Sequence, residues 1–424
     1  MNAKVKNYNG LQIELVNFEE KNIMFDNPNC LKINLQRQFD DKNASARFEI
    51  TDEIRGSLKC GFVTRLVLIN RYAFAALSPE QRPKVGDIIL GRVSKIGRHT
   101  KMDDCDGRRV TLLENDLVVA AYGNRYATDQ YEGVVPETTA PCHILSNAAV
   151  CGIVKSKHAK MSAPTELEVV GFMHDAAGQQ LNLRDFGLKL RTKKATSIKR
   201  SKNLDRPSIV VVVGSSMNSG KTTATASIVR GLTQSGYQVA AGKITGTACG
   251  NDIWAYKDNG AVKVLDFSDC GYPSTYLCDG EEVLSIYRTL RQRLRKEKPD
   301  FIVMEVADGI IQRETTELLA QPEFKKSIDH LIYSAGDALA AESGLRLLEQ
   351  KGYKVTALSG LVSASELAKA EAEALSGVRC YTQDEIIAGE LNELLKPQTP
   401  KLQKAFDILA TEQSARQIAY ATVA

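Results

Sequence analysis

The run Ser208-Ile209-Val210-Val211-Val212-Val213 constrains the fold more than any other stretch of the chain. A continuous β-branched segment without polar alternation makes a strand buried on both faces, and such a strand needs helices on both sides of its sheet. The downstream sequence supplies them. Ala226, Ile228, Val229 and Leu232 are spaced as one helix face, predicting a helix over 222–233 that stops near Gly236. Further strands are predicted at 238–243, 262–266, 301–306, 330–334, 355–359 and 378–381, with helices at about 281–297, 338–351 and 366–375. A last helix opens at Thr382, with Glu385 three residues on as a capping box. Strand–helix alternation of this kind implies an α/β domain over 207–396 built on a parallel sheet.

Upstream the pattern differs. Apolar runs such as 62–69, 87–93, 110–113, 116–121 and 167–172 are short and punctuated by Pro83, Gly86, Gly91, Gly97, Gly107, Gly123 and Gly133. This predicts a β-rich N-terminal domain over 1–190, a barrel or sandwich, with the first 45 residues read as an extra hairpin. Six positive charges between Arg191 and Lys202 mark a solvated basic linker over 191–206. Residues 397–424 read as a helical tail. A chain of 424 residues is long enough for two cores.

Charge and composition exclude more than they select. A formal net charge of +4 is what an ordinary solvated surface gives and carries no argument for nucleic acid. No apolar run is long enough to span a bilayer, and the N-terminal residues lack the apolar core of a signal peptide, so a cytoplasmic protein is expected. The nine cysteines are odd in number and none forms a CxxC pair, which reads as free thiols in a reducing compartment.

Chemistry concentrates after the buried strand, in Gly214-Ser215-Ser216-Met217-Asn218-Ser219-Gly220-Lys221-Thr222-Thr223. Small residues between a strand and a helix let the backbone curl until successive N–H groups point at one anion, and the helix N-terminus adds its positive end. Lys221 reaches the β- and γ-phosphates of a nucleotide in such a loop, and the Thr222 hydroxyl ligates Mg²⁺. The expectation is a P-loop NTPase domain in which Gly214, Ser215, Asn218, Ser219, Gly220, Lys221, Thr222 and Thr223 bind the nucleotide. An Asn-Lys-x-Asp motif for reading guanine is missing, which favours ATP without excluding GTP.

Five residues rather than four separate Gly214 from Gly220. In that spacing the loop resembles dethiobiotin synthetase and the P-loop branch that includes the cobyric acid and MinD-like families. Ala241-Gly242-Lys243-Ile244-Thr245-Gly246-Thr247 looks like the segment in which dethiobiotin synthetases turn a lysine and a hydroxyl residue toward the reacting groups. Asp300-Phe301-Ile302-Val303-Met304-Glu305 resembles their strand ending in a metal-associated glutamate. The resemblance spans roughly 208–395 and leaves the N-terminal domain outside it. It implies catalytic roles for Lys221, Lys243 and Glu305, and substrate contacts from Thr245 and Thr247. Ser216 stands where MinD-like ATPases carry an extra lysine, which disfavours nucleotide-driven dimer switching.

The residues themselves point the same way. Lys243 ends a strand, where open α/β sheets bind ligands. A carboxylate at the end of an apolar strand requires a cation, so Glu305, with Asp308 behind it, is the expected Mg²⁺ residue beside Thr222. Asp266 and Asp269 end another strand and are alternative metal contacts. In the N-terminal half the polar stretch 123–133 nominates Arg125, Thr128 and Asp129 for substrate selection. The basic end of the 281–297 helix (Arg288, Arg291, Arg293, Arg295, Lys296) fits the helix dipole.

The expected function is therefore an ATP- and Mg²⁺-dependent enzyme, kinase or ligase, acting on a small anionic substrate. Nucleic acid and membrane are not expected as partners, and a homo-oligomer is compatible. The alternatives are a nucleotide-dependent switch or assembly NTPase and, behind it, an NTPase acting on nucleic acid.

Overall fold

A computed structural model describes residues 4–8, 11–15, 47–48, 57–67, 73–76, 81–192 and 206–395. The tail 397–424 and most of the basic linker fall outside the described residues. The chain forms two compact units. The first comprises Met1–Leu188 together with Thr247–Gly250 and Ser268–Ser274; the second comprises Lys189–Gly246, Asn251–Phe267 and Thr275–Ala424. Contiguous halves were the sequence expectation, and two short excursions depart from it.

The first unit is β-rich. Its nine-stranded sheet is mainly antiparallel. Ile88–Lys95 pairs with Leu117–Tyr122 and Glu166–His174, the latter pairs with Cys142–Ile144, and that strand pairs with Val150–Lys157. Val150–Lys157 returns to Leu117–Tyr122 through a short parallel pairing, so these five strands form a closed circuit. Their inward residues, among them Ile89, Val93, Val118, Ala120, Tyr122, Ile144, Leu167 and Phe172, make one core, which Met102 and Leu112 complete. The apolar run near residue 62 is no strand: Phe62–Thr64 is a 3₁₀ turn whose residues are buried. Lys4–Tyr8 and Leu11–Leu15 pair as an antiparallel hairpin.

The second unit is α/β. Six parallel strands lie in the order Lys263–Asp266, Val239–Lys243, Phe301–Glu305, Ser208–Gly214, His330–Ser334, Ala357–Ser359. Every residue of the Ser208–Gly214, Val239–Lys243 and Phe301–Glu305 strands is buried, as strands covered on both faces must be. The helix Lys221–Gln234 packs Ile228, Val229 and Leu232 against Val210, Val212 and Phe301. The strand expected at 378–381 is reduced to one parallel bridge, Leu358 with Cys380, because the edge strand it would join is only three residues long. Three helices, Gly250–Asp258, Arg313–Ala320 and Pro322–Ser327, were not anticipated. Among the described residues no helix is long and apolar enough to cross a membrane.

One glycine shows how tightly this unit is packed. A Cβ on Gly231, inside the Lys221–Gln234 helix, would lie 2.2 Å from the backbone oxygen of Ile386 on the Gln383–Ile387 helix. Backbone cannot swing aside as a side-chain tip can. Gly231→Ala is therefore expected to lower unfolding free energy by about 2 kcal/mol despite the better helix propensity of alanine. Urea unfolding checks this, and a gain in stability would show that the two helices separate at little cost.

Candidate functional site

The loop between Gly214 and Lys221 is held from three sides. Gly214 O accepts from Ile310 N at 2.9 Å, and Ser215 N donates to Ser334 O at 2.9 Å. Gly336 N donates to Ser215 Oγ at 3.2 Å, and Leu361 N donates to Ser219 O at 3.1 Å. The C-terminal ends of the Phe301–Glu305, His330–Ser334 and Ala357–Ser359 strands, with the segments after them, thus hold one loop. Gly220 adopts φ +93°, and a Cβ there would lie 2.8 Å from Gly360 Cα, so both conformation and close approach require glycine.

The helix Lys221–Gln234 begins without a side-chain cap. Its first backbone bond joins Ala224 N to Gly220 O at 2.9 Å. The amides of Lys221, Thr222 and Thr223 precede that bond, so they have no intrahelical acceptor. The Ser219 hydroxyl beside them is 1% exposed and has no hydrogen-bond partner among the described residues. Amides at a helix start without intrahelical acceptors, next to a buried hydroxyl, suit an anion from elsewhere.

A charged cluster lies on the same edge of the sheet. Parallel register sets Lys243 opposite Glu305, and the Lys243 Nζ is 3.2 Å from Glu305 Oε1. The Lys243 ammonium also donates to Asp252 Oδ2 at 2.5 Å. Glu305 Oε2 accepts from Thr222 Oγ1 at 2.9 Å and from the Tyr256 hydroxyl. Glu305 is 1% exposed. Burial alone pushes its carboxyl up, but Lys243, Lys221 and the hydrogen bonds from Tyr256 and Thr222 outweigh it and hold the group below the usual glutamate range. Lys221 Nζ donates to Ser216 O at 2.7 Å, and burial pulls its ammonium below the usual lysine range. Burial raises the Asp252 carboxyl against the pull of Lys243, with Glu305 and Asp266 reinforcing the rise.

Asp308 follows the Phe301–Glu305 strand at φ +63°. Burial pushes its carboxyl up to about 6, against the opposing pull of Lys221 and Lys243. An acid raised above its unfolded value favours folding while protonated. That contribution is complete below the unfolded pKa near 4 and disappears as pH rises through about 6. Asn tolerates the left-handed backbone, so Asp308→Asn removes the titration with little strain. Measured by urea unfolding, the variant should match wild type near pH 4 and exceed it by about 2 kcal/mol near pH 7. A difference that stays flat with pH would contradict the raised pKa.

Lys221, Thr222, Lys243 and Glu305 are thus brought together through direct contacts or shared electrostatics. Asp266 is paired in register with Lys243 and is buried at the strand end. Thr245 Oγ1 donates to Ala307 O at 3.3 Å. Asp269 and Thr247 stand in the first unit: Asp269 is held by Arg65 at 2.7 Å, and Thr247 bridges Ser274. The polar stretch 123–133 also belongs to the first unit and is more compact than an open loop. Arg125 is buried, exchanges backbone bonds with Gly133 and donates from its guanidinium to Gln130 Oε1 at 2.7 Å. Thr128 and Asp129 are exposed, and Asp129 and Gln130 line an open cavity of about 590 Å³ with Arg98, His158 and Lys160.

Two residues of the cluster escaped the sequence reading, Asp252 and Tyr256. They lie four apart on the Gly250–Asp258 helix, a spacing that puts both on one face, and that i, i+4 pairing was the available signal. Among the described residues no group of three or more His, Cys, Asp and Glu is arranged to hold a metal ion, so a metal here would lean on oxygen donors of other kinds. The chain matches no protein-family model and no curated protein.

Proposed function

We propose that the second unit is a P-loop enzyme that binds ATP with Mg²⁺ at Gly214–Thr223 and transfers phosphate to, or activates, a small anionic substrate. The observation that carries this reading is the helix start at Lys221, uncapped, with the lone buried Ser219 hydroxyl beside it and Thr222 hydrogen-bonded to a strand-end carboxylate. Helix-start amides without intrahelical acceptors, a buried ammonium and a hydroxyl–carboxylate pair form a set suited to a magnesium polyphosphate.

Each side chain has a distinct task in this reading. The Lys221 ammonium, which satisfies itself on Ser216 O, exchanges that carbonyl for phosphate oxygens. Thr222 and Glu305 would hold Mg²⁺, which would neutralise phosphate charge. Lys243, fixed by Glu305 and Asp252, places a second positive charge at the strand end, where it stabilises charge developing on the transferred group or on the anionic substrate. Asp252 and Tyr256 are positioning residues that keep Lys243 and Glu305 in place. The activity of the whole chain, its substrate and its use of ATP over GTP are parts of the same proposal.

Titrating the full-length protein with fluorescent ATP and GTP analogues tests the reading. Saturable binding strengthened by Mg²⁺ is expected for ATP. Saturation by GTP alone would transfer the reading to a guanine nucleotide, and failure of both at millimolar concentration would overturn it.

A further inference from the structure

Spacing along the sequence suggests no thiol pair, but the first unit makes one. The antiparallel bridge between Gly61 and Asp104 places Cys60 directly opposite Cys105. Cys105 Sγ donates to Cys60 O at 3.8 Å and to Gly61 O at 3.9 Å, so its sulfur sits against the backbone of the Cys60–Gly61 pair. Both partners are fixed by backbone. Gly61 N donates to Val119 O at 2.9 Å, anchoring the Lys59–Cys60 strand. The turn carrying Cys105 is closed by Asp104 N to Arg108 O at 2.9 Å, and Asp104 Oδ1 accepts from Arg108 N at 2.9 Å. Cys105 opens the turn one residue beyond the bridged pair, so the two cysteines are neighbours across that bridge, and closing them requires Cα atoms about 4.4–6.8 Å apart.

We propose that Cys60 and Cys105 are a redox-active dithiol, a covalent modification site that a hydroperoxide closes to a disulfide. Access separates this pair from the other adjacent thiols of the unit. Cys60 and Cys105 are half-buried, whereas Cys142 and Cys151, neighbours within the core, are wholly buried. A buried thiol in apolar surroundings is inert, whereas a partly exposed one can be reached by an oxidant.

Polarity within the pair assigns the roles. The neighbouring Cys60 thiol lowers the Cys105 thiol below its usual value, and Thr64 assists; burial and the carboxylates of Asp104 and Asp106 pull the other way. Cys105 beside it, with burial, pushes the Cys60 thiol up. Cys105 is the nucleophile and Cys60 resolves. The Cys105 thiolate attacks one oxygen of hydrogen peroxide, the O–O bond breaks, and the departing hydroxide takes a proton to become water. Cys105 is then a sulfenic acid. The Cys60 sulfur attacks it, the S–O bond breaks, and the released hydroxyl leaves as water with the Cys60 proton. Two thiols and one peroxide become one disulfide and two waters.

Peptide mapping of the full-length reduced protein tests this. After brief exposure to a small excess of hydrogen peroxide, free thiols are alkylated under denaturing conditions. The expected map shows one Cys60–Cys105 linked peptide, the loss of two hydrogens, reversal by dithiothreitol, and Cys142 and Cys151 alkylated as free thiols. In Cys60→Ser the Cys105 sulfenic acid should persist and be trapped by dimedone, and Cys105→Ser should give no linked peptide. The proposal is overturned if Cys60 and Cys105 stay free in wild type while other thiols oxidise. It is also overturned if Cys60→Ser leaves Cys105 unmodified. The wild-type map needs no substitution, so a poorly folding variant does not blunt the test.

Discussion

Replacing Lys221 with methionine should weaken nucleotide binding about 100-fold while leaving the unfolding free energy within about 1 kcal/mol of wild type. The two halves of this result have one cause. Lys221 is 5% exposed, and burial works against its charge in the folded protein. Its single hydrogen bond goes to the carbonyl of Ser216, so without a ligand the ammonium returns little of its desolvation cost. Methionine keeps the stem packed and removes the charge, so the empty protein loses almost nothing. A polyphosphate reverses the balance, because a charge-assisted bond in a desolvated site is among the strongest available. Titration with labelled ATP and Mg²⁺ gives the affinity, and urea unfolding gives the stability. Unchanged affinity would remove Lys221 from the binding machinery. A stability loss above about 2 kcal/mol would make it a structural lysine instead.

How far the sequence reaches can be judged from particular residues. The central strand was legible because Ile209–Val213 is apolar and β-branched throughout, a pattern local enough to be read without knowing its neighbours. The capping box at Thr382 and Glu385 was legible for the same reason: both of its hydrogen bonds are made within four residues. The helix Gly250–Asp258 was not. It has glycine at its start and again at Gly260, its apolar face is short, and its two consequential residues act on partners 9 and 49 positions away. The Lys243–Glu305 contact shows the intermediate case. Each residue could be nominated alone as a strand end, but their opposition is a matter of register between strands 62 positions apart, which periodicity does not report.

The same distinction explains the first unit. Short apolar runs with Gly and Pro between them announced β structure, yet the closed circuit depends on a pairing of only two residues, Val150 with Ala121 and Cys151 with Tyr122. The stretch 123–133 looked like an open loop because its side chains are polar. Arg125 is drawn inward instead, since its backbone pairs with Gly133 and its guanidinium finds Gln130 five residues on. Backbone pairing and a local partner draw this polar residue inward, so polarity alone overstated the exposure of this segment.

Replacing Glu305 with alanine should be among the most destabilising single substitutions in the second unit, costing about 3–5 kcal/mol. Three groups lose their partner at once. The Lys243 ammonium keeps Asp252 but loses Glu305, and the buried Tyr256 hydroxyl and the Thr222 hydroxyl lose the oxygen they share. A buried charge left half-compensated costs more than the original pair contributed. Glu305→Gln separates the components. The amide oxygen can still accept from Tyr256 and Thr222, while the amide NH2 replaces the oxygen facing Lys243 and sets donor against donor, so the penalty should fall below that of alanine without vanishing. Pairing Glu305→Gln with Lys243→Met should then recover part of the loss, giving a coupling of about 1–3 kcal/mol between sites that meet only through strand register. Urea midpoints of the four proteins measure it. Additive losses would mean that the 3.2 Å contact between Lys243 and Glu305 carries no energy, and the second positive charge assigned to the reacting group would then have no fixed position.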